Sequence, residues 1–190
     1  MSGLEIRRFE VDGPVLIQPK RFGDERGYFS ETWNESVWAA AGLPDITWLQ
    51  DNEAFSASPG TTRGLHFQTG SSAQAKLLRA VRGEIFDVAV DIRNGSPTYG
   101  KAVGVKLTST GGEQLFVPRG FAHGYQTLTP DTLVAYKCDE LYNPSKEGGL
   151  LWCDKGISIE WPIQDHVILS PKDEKWPNLE NLETAFELTS

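Results

Sequence analysis

Ala75-Lys76-Leu77-Leu78-Arg79-Ala80-Val81-Arg82-Gly83-Glu84-Ile85-Phe86-Asp87-Val88-Ala89-Val90-Asp91-Ile92 sets two β-prone runs on either side of one glycine. Side chains alternate along a strand, so Phe86, Val88, Val90 and Ile92 share one face of the second run. Ile85, Asp87, Ala89 and Asp91 share the other. That face carries two carboxylates and is expected to meet solvent or a polar cavity. Gly83 between the runs suggests a hairpin.

The same punctuation continues in both directions. Gly (19) and Pro (11) recur between short β-branched or aromatic segments. Strands are expected over 15–19, 47–55, 62–67, 75–82, 84–92, 102–107, 114–117, 124–128, 132–139 and 157–159. Many short strands with turn signals between them read as an all-β sandwich or barrel, not as βαβ units. Helix is scarce. Asn34 can cap a helix over 35–41, with Val37, Trp38 and Ala41 on one side and Gly42 and Pro44 ending it. A weaker helix is expected over 178–187, with Leu179, Leu182 and Phe186 at helical spacing.

Length and composition bound what such a chain can do. The 190 residues suit one domain with a substantial core. The expected division is a barrel core at about 45–162, with N-terminal strands and a C-terminal segment packed around it. A net charge of −8 argues against a nucleic-acid surface, which needs a basic face. It leaves room for a small basic pocket. Apolar runs are too short for a membrane span, and the N-terminus lacks the pattern of a secretory signal. Cys138 and Cys153 are expected to be buried thiols in a reducing compartment, which makes the cytoplasm the default.

The polar residues gather in clusters that loops and strand ends of a barrel can bring to one mouth. Of the three histidines, His66 and His123 are the candidates for proton chemistry near neutral pH. Arg26 and Arg63 are the best anion ligands, because guanidinium forks match phosphate oxygens. Gln50-Asp51-Asn52 interrupts a strand-like run, where such residues are unfavourable unless they serve a purpose. Their amides could read the edge of a base or sugar, or the run could be an edge strand or bend. The glycines flanking His123 suggest close backbone approach or a bulge. The Tyr142 ring could pack or stack on a planar ligand. Small barrels often hold a metal through two histidines two residues apart, but Gln68 stands two beyond His66, so no metal is expected. Strict alternation puts Arg63 and His66 on opposite faces; the expected resolution is that Arg63 reaches in from the barrel rim, the alternative being a bulge at Gly64.

Several stretches carry a resemblance. They are Asp24-Glu25-Arg26-Gly27-Tyr28-Phe29-Ser30-Glu31, Arg63-Gly64-Leu65-His66-Phe67-Gln68, Phe86-Asp87-Val88-Ala89-Val90-Asp91-Ile92-Arg93 and Ser96-Pro97-Thr98-Tyr99-Gly100. Gly120-Phe121-Ala122-His123-Gly124-Tyr125, Tyr136-Lys137 and Ile159-Glu160-Trp161-Pro162 belong with them. From about residue 4 to about residue 180 the chain resembles the dTDP-4-dehydrorhamnose 3,5-epimerase family. The resemblance implies a cupin-type jelly-roll barrel, a homodimer, a dTDP-sugar substrate and neither metal nor cofactor. It places His66 as general base, Asp173 as its acidic partner, Tyr136 as general acid and Lys76 beside the C4 oxygen. It places Arg26, Glu31, Gln50, Asn52 and Arg63 on the nucleotide; Asp51, between two of them, is a substrate-binding candidate from the polar run alone. It gives His123, Glu147 and Lys172 further ligand contacts, and Tyr142 a stacking role on thymine. The departures are Thr62 and a bulky tail, Glu174-Lys175-Trp176, after Asp173.

The chemistry agrees with these roles. Protons on C3 and C5 of a 4-keto sugar are acidified by the carbonyl between them. Inverting either centre needs a base near neutrality on one face and a donor on the other, which suits His and Tyr. The enolate oxygen needs a fixed positive charge, which suits Lys76. A carboxylate on the second imidazole nitrogen strengthens the base, a task for Asp173 or for Asp87. Rival readings are a 5-epimerase or 3-epimerase on a related dTDP-4-keto-deoxysugar, a metal-dependent cupin oxygenase, and a non-catalytic sugar-nucleotide binding module.

Overall fold

At Gly83 the chain does not fold back on itself. The computed structural model describes residues 4–183 and 186–187. Its strands are β1 Leu4–Arg8, β2 Val15–Pro19, β3 Arg21–Asp24, β4 Gly27–Ser30, β5 Gln50–Ser56, β6 Thr62–Gln68 and β7 Lys76–Arg82, then β8 Glu84–Asp91, β9 Ala102–Thr108, β10 Gln114–Val117, β11 Phe121–Thr127, β12 Thr132–Cys138 and β13 Glu147–Gly149. The expected hairpin over 75–92 is absent: β7 pairs with β10 and β12, whereas β8 pairs with β9 and β11. A single linking residue is shorter than the two that a tight hairpin uses. Gly83, at φ 76°, instead carries the chain from one sheet to the other.

The two sheets are antiparallel. One has the order β1-β2-β10-β7-β12-β5, the other β13-β6-β11-β8-β9. Between them lies a core that includes Leu78, Ile85, Ala89, Leu115 and Val134. The outer face of the five-stranded sheet buries Val88, Val90 and Ile92 beneath Trp152, Trp161 and the C-terminal segment. The outer face of the six-stranded sheet buries Val15, Ile17, Leu77 and Phe116 beneath Trp33, Trp38 and Trp48. Each such aliphatic side chain contributes about 1.5–3 kcal/mol on burial. The alternation of β8 is therefore real, but both of its faces are covered. Asp87 and Asp91 point to the interior side and are fully buried. Asp91 is held by Arg93, Ser96 and Thr98, and Asp87 by a histidine of the cavity.

The helix α1, Glu35–Ala40, forms where expected, with Asn34 Oδ1 accepting from Val37 N at 3.2 Å and Trp38 buried. Other expectations fail for local reasons. Residues 157–159 are not a strand: 155–158 form a turn, because the Asp154 carboxylate accepts from Gly156 N at 2.8 Å and starts a reversal. The expected helix over 178–187 is a single 3₁₀ turn, Leu179–Asn181, capped by Asn178; residues 184–185 lie outside the described residues. Leu179, Leu182 and Phe186 still pack on the five-stranded sheet. Both cysteines are free, but only Cys138 is buried; Cys153 is exposed. No described helix is long and apolar enough to cross a membrane. The ribbon β3–β4 belongs to neither sheet and exposes Phe22 (54%), Tyr28 (60%) and Phe29 (68%).

Candidate active site

The register of β6 against β11 decides which side chains enter the interior. Arg63 stands opposite Tyr125 and His66 opposite His123, so β6 takes one more step than β11 between the two pairs. This is a bulge at Gly64–Leu65, and the extra residue returns Arg63 and His66 to the same face. The bulge replaces the expected reach of Arg63 from the rim. Gly64 has φ 115°, and a Cβ there would lie 2.7 Å from Gly124 Cα. A Cβ on Gly124 would lie 2.5 Å from Arg63 O, so both strands need glycine where they meet.

His66 is held by the C-terminal segment. Ile168 bridges to the start of β6, with Thr62 N donating to Ile168 O at 2.9 Å. Five residues on, His66 Nε2 donates to Asp173 Oδ1 at 2.5 Å. An ionised carboxylate can only accept, so Nε2 carries a proton, and when the ring is neutral the free lone pair is on Nδ1. Burial works to raise the Asp173 carboxyl. Hydrogen bonds from His66, Ser170 and Trp176, with the His66 charge, outweigh burial and hold it below its ordinary value.

The opposite wall comes from the six-stranded sheet. Lys76 on β7 and Tyr136 on β12 line a cavity of about 790 Å³ together with His66, Arg63, His123 and Asp173. A second cavity of about 380 Å³ shares His66, Lys76, Tyr136 and Lys172 with the first, so those four side chains mark the junction of two lobes. Burial pushes the Tyr136 phenol up, with the neighbouring Cys138 adding to it and Arg63 opposing. At neutral pH the phenol is therefore a proton donor. Burial pushes the Lys76 ammonium down against the pull of Cys138, Asp87 and Glu147. Lys76 has no ion-pair partner among the described residues. A negative charge developing beside it would restore its preference for the charged form.

His123 makes a second dyad in the same cavity, its Nε2 donating to Asp87 Oδ1 at 2.7 Å. The geometry thus divides the two carboxylates: Asp173 serves His66, and Asp87 serves His123. The second lobe is lined by Gln50, Asn52, Tyr142 and Glu147. There Lys172 Nζ donates to Glu147 Oε1 at 2.7 Å and the Tyr142 hydroxyl to Glu147 Oε2 at 3.2 Å. Gln50 Nε2 donates to Asn52 Oδ1 at 2.7 Å.

Three expected site residues are not brought there. Asp51 lies on the other face of β5 from Gln50 and Asn52, where it pairs with Lys137 at 2.8 Å; strand alternation forbids all three from one wall. Arg26 pairs with Asp24 in the exposed turn of the β3–β4 ribbon, and Glu31 follows that ribbon; neither lines either lobe. Two residues given no role from the sequence do belong. Tyr125 lines the main cavity, and its position two after His123 on one strand was the available signal. Trp176 bonds Asp173 from a tail with no periodic pattern to reveal it. Among the described residues no three His, Cys, Asp or Glu side chains converge as metal ligands. Gln68, two after His66, spends its amide on Ser72 O, Leu141 O and Asn143 N.

A double-sheet β-barrel that sets a carboxylate-backed imidazole on one wall against a phenol and an ammonium on the other defines a cupin-type carbohydrate epimerase. The family model for dTDP-4-dehydrorhamnose 3,5-epimerase matches residues 8–181. The chain belongs to the dTDP-4-dehydrorhamnose 3,5-epimerase family. A member from Sinorhizobium fredii is 49% identical over 172 residues, covering 90% of this chain and 88% of the relative. The crystal structure of the dTDP-6-deoxy-D-glucose-3,5-epimerase of Legionella pneumophila, in complex with dTDP-4-keto-L-rhamnose, matches with a TM-score of 0.91 at 39% identity and 95% coverage of both chains. A 3'-monoepimerase from Streptomyces bikiniensis in complex with dTDP-quinovose matches with a TM-score of 0.85 at 30% identity, over 90% of this chain and 86% of that one.

Proposed function

We propose that the chain is an isomerase that converts dTDP-4-dehydro-6-deoxy-D-glucose to dTDP-4-dehydro-L-rhamnose, for dTDP-L-rhamnose synthesis. The observation that carries this reading is the junction of the two lobes, where His66 and the Lys76–Tyr136 pair face one another from different sheets. His66 Nδ1 removes the proton from C3 or C5, leaving an enolate whose oxygen Lys76 stabilises. Tyr136 returns a proton from the other face of the ring, so the centre inverts. Asp173 keeps the base in its working tautomer. No redox partner is needed, because the proton removed is balanced by the proton returned.

The nucleotide takes the second lobe. Gln50 and Asn52 present amides to it, Tyr142 presents its ring at the mouth, and Lys172 at the junction and Arg63 in the first lobe present cations for the diphosphate. His123 completes the sugar lobe. Arg26 and Glu31 stand outside this chain's own cavity, so a nucleotide role for them requires a second copy. The exposed aromatic ribbon is the surface for that homodimer. The whole chain works as one domain, and an exposed free thiol at Cys153 suits a reducing cytoplasm.

The match to a 3'-monoepimerase favours one second reading, inversion at a single carbon by the same site. Product NMR with dTDP-4-dehydro-6-deoxy-D-glucose separates the two. Inversion at C3 and C5 is expected; a product inverted at one carbon only would replace the double epimerase with the single one.

A further inference from the structure

His66 and Asp173 do not stand alone. The Trp176 indole Nε1 donates to Asp173 Oδ1 at 3.3 Å, the same oxygen that accepts from His66 Nε2 at 2.5 Å. The indole ring stands edgewise to the imidazole, with centroids 6.1 Å apart at 72°. It occupies space that only glycine leaves. A Cβ on Gly149 would lie 2.2 Å from the ring, and Gly149 pairs with His66 across β13 and β6. The tail holding the ring is fixed at both ends, with Lys175 N donating to Lys172 O at 3.1 Å and Leu151 N to Pro177 O at 2.8 Å. We infer that Trp176 is a positioning residue that locks the Asp173 carboxylate behind His66 and weakens its hold on the imidazolium.

The reasoning rests on the epimerase reading above and on one electrostatic step. A carboxylate oxygen shared between two donors is a weaker acceptor for each of them. Loss of the indole N–H leaves His66 and Ser170 as the remaining side-chain donors to Asp173, which strengthens its bond to His66 and favours the protonated ring. The charged and titratable groups that line the two lobes with His66 are Asp173 and Lys172 from the C-terminal segment, Arg63 on β6, His123 and Tyr125 on β11, Glu147 on β13 with Tyr142 before it, and Lys76, Tyr136 and Cys138 on the opposite wall. Of these, Trp176 hydrogen-bonds Asp173 alone among the described residues. Its removal therefore acts on the base through that carboxylate.

The test is Trp176→Phe in the full chain, which keeps an aromatic ring over Gly149 and removes the N–H together with the second ring of the indole. The acid limb of kcat/KM, read by deuterium uptake from D₂O into the 4-keto sugar nucleotide, is expected to move up by roughly half to one pH unit. The NMR titration of His66 in the free protein should move in the same direction. In the unaltered protein, the Trp176 indole proton should shift with the same midpoint as His66, a readout that needs no variant to fold. An unchanged acid limb and His66 titration in Trp176→Phe would overturn the proposal, as would an indole proton that ignores the His66 transition. These outcomes differ from failure of the epimerase reading, in which the unaltered protein would take up no deuterium at all.

Discussion

His66 and Tyr136 reach the same cavity from different sheets, one on β6 behind a bulge and the other on β12 at a regular position. A sugar ring held at their junction presents one face to each. Two sheets of a sandwich are the simplest way to oppose an acid and a base without a flexible element. The two groups also differ in the way their tasks require. The imidazole has its second nitrogen committed to a carboxylate, and burial keeps the phenol protonated.

Tyr136→Phe should separate two observables. Proton removal by His66 survives, so exchange of solvent deuterium into the substrate continues, whereas epimerised product falls by about 10²–10⁴-fold. Parallel NMR and product assays check this. Equal loss of exchange and product would argue against donation from the opposite face.

Asp173→Asn keeps the size of the side chain but removes the charge that fixes the Nε2–H tautomer. A fall in kcat of about 10²-fold or more is expected, with KM changed little. Steady-state kinetics on the variant decide it. A rise in KM at constant kcat would instead make Asp173 a binding residue.

Lys76→Met removes the ammonium at the junction of the lobes. A loss of about 10²–10³-fold in kcat is expected from the missing charge on the enolate. Substrate affinity, measured by calorimetry with the nucleotide diphosphate alone, should be nearly unchanged. A large loss of that affinity would place Lys76 on the diphosphate rather than on the ketone.

Gly64→Ala attacks the bulge itself. Its φ of 115° and the 2.7 Å approach to Gly124 Cα leave no room for a methyl group. A destabilisation of about 1–3 kcal/mol is expected, a fall in Tm of roughly 3–10 °C at this chain length. Activity should fall further than stability, because the bulge is what aims His66. A variant with unchanged Tm and activity would show that the register relaxes without cost.

Asp91 gives a prediction for pH. Burial works to raise its carboxyl, but bonds from Arg93, Ser96 and Thr98 outweigh it and hold the folded-state value at about 2, against an ordinary 3.8. A depressed carboxylate stabilises the fold fully above its ordinary value, and that contribution is lost as pH falls from 3.8 toward 2. Urea unfolding of the protein and of Asp91→Asn should therefore show a stability gap of roughly 2 kcal/mol at pH 6 that closes across this acid range. A gap that does not depend on pH would mean the Asp91 charge contributes nothing.

Much of this site was legible in the sequence because it lies on regular strands. Alternation alone separates Gln50 and Asn52 from Asp51, and pairs His123 with Tyr125. Alternation also puts Asp87 and Asp91 on one face of β8, where Asp87 meets His123. What alternation could not give is where it breaks. Alternation offers a bulge at Gly64 only as an alternative, which the Gly124 backbone packed on it decides, and Gly83 looks like a hairpin until each strand finds its partners in a different sheet. The strands β3, β4 and β13 carry no strand signal because each is short and contains glycine, and β1 has only five residues ending in two arginines. Asp173 and Trp176 lie in a segment with no regular structure, so no periodicity places them; the resemblance points to Asp173, and only the folded chain brings Trp176 behind it.

The most direct test is incubation of the protein with its 4-keto sugar nucleotide in D₂O, followed by NMR at C3 and C5. Deuterium at both carbons is expected with the native chain, and none at either with His66→Ala. Deuterium entering the His66→Ala reaction at the native rate would contradict the account, because some other group would then be removing the protons.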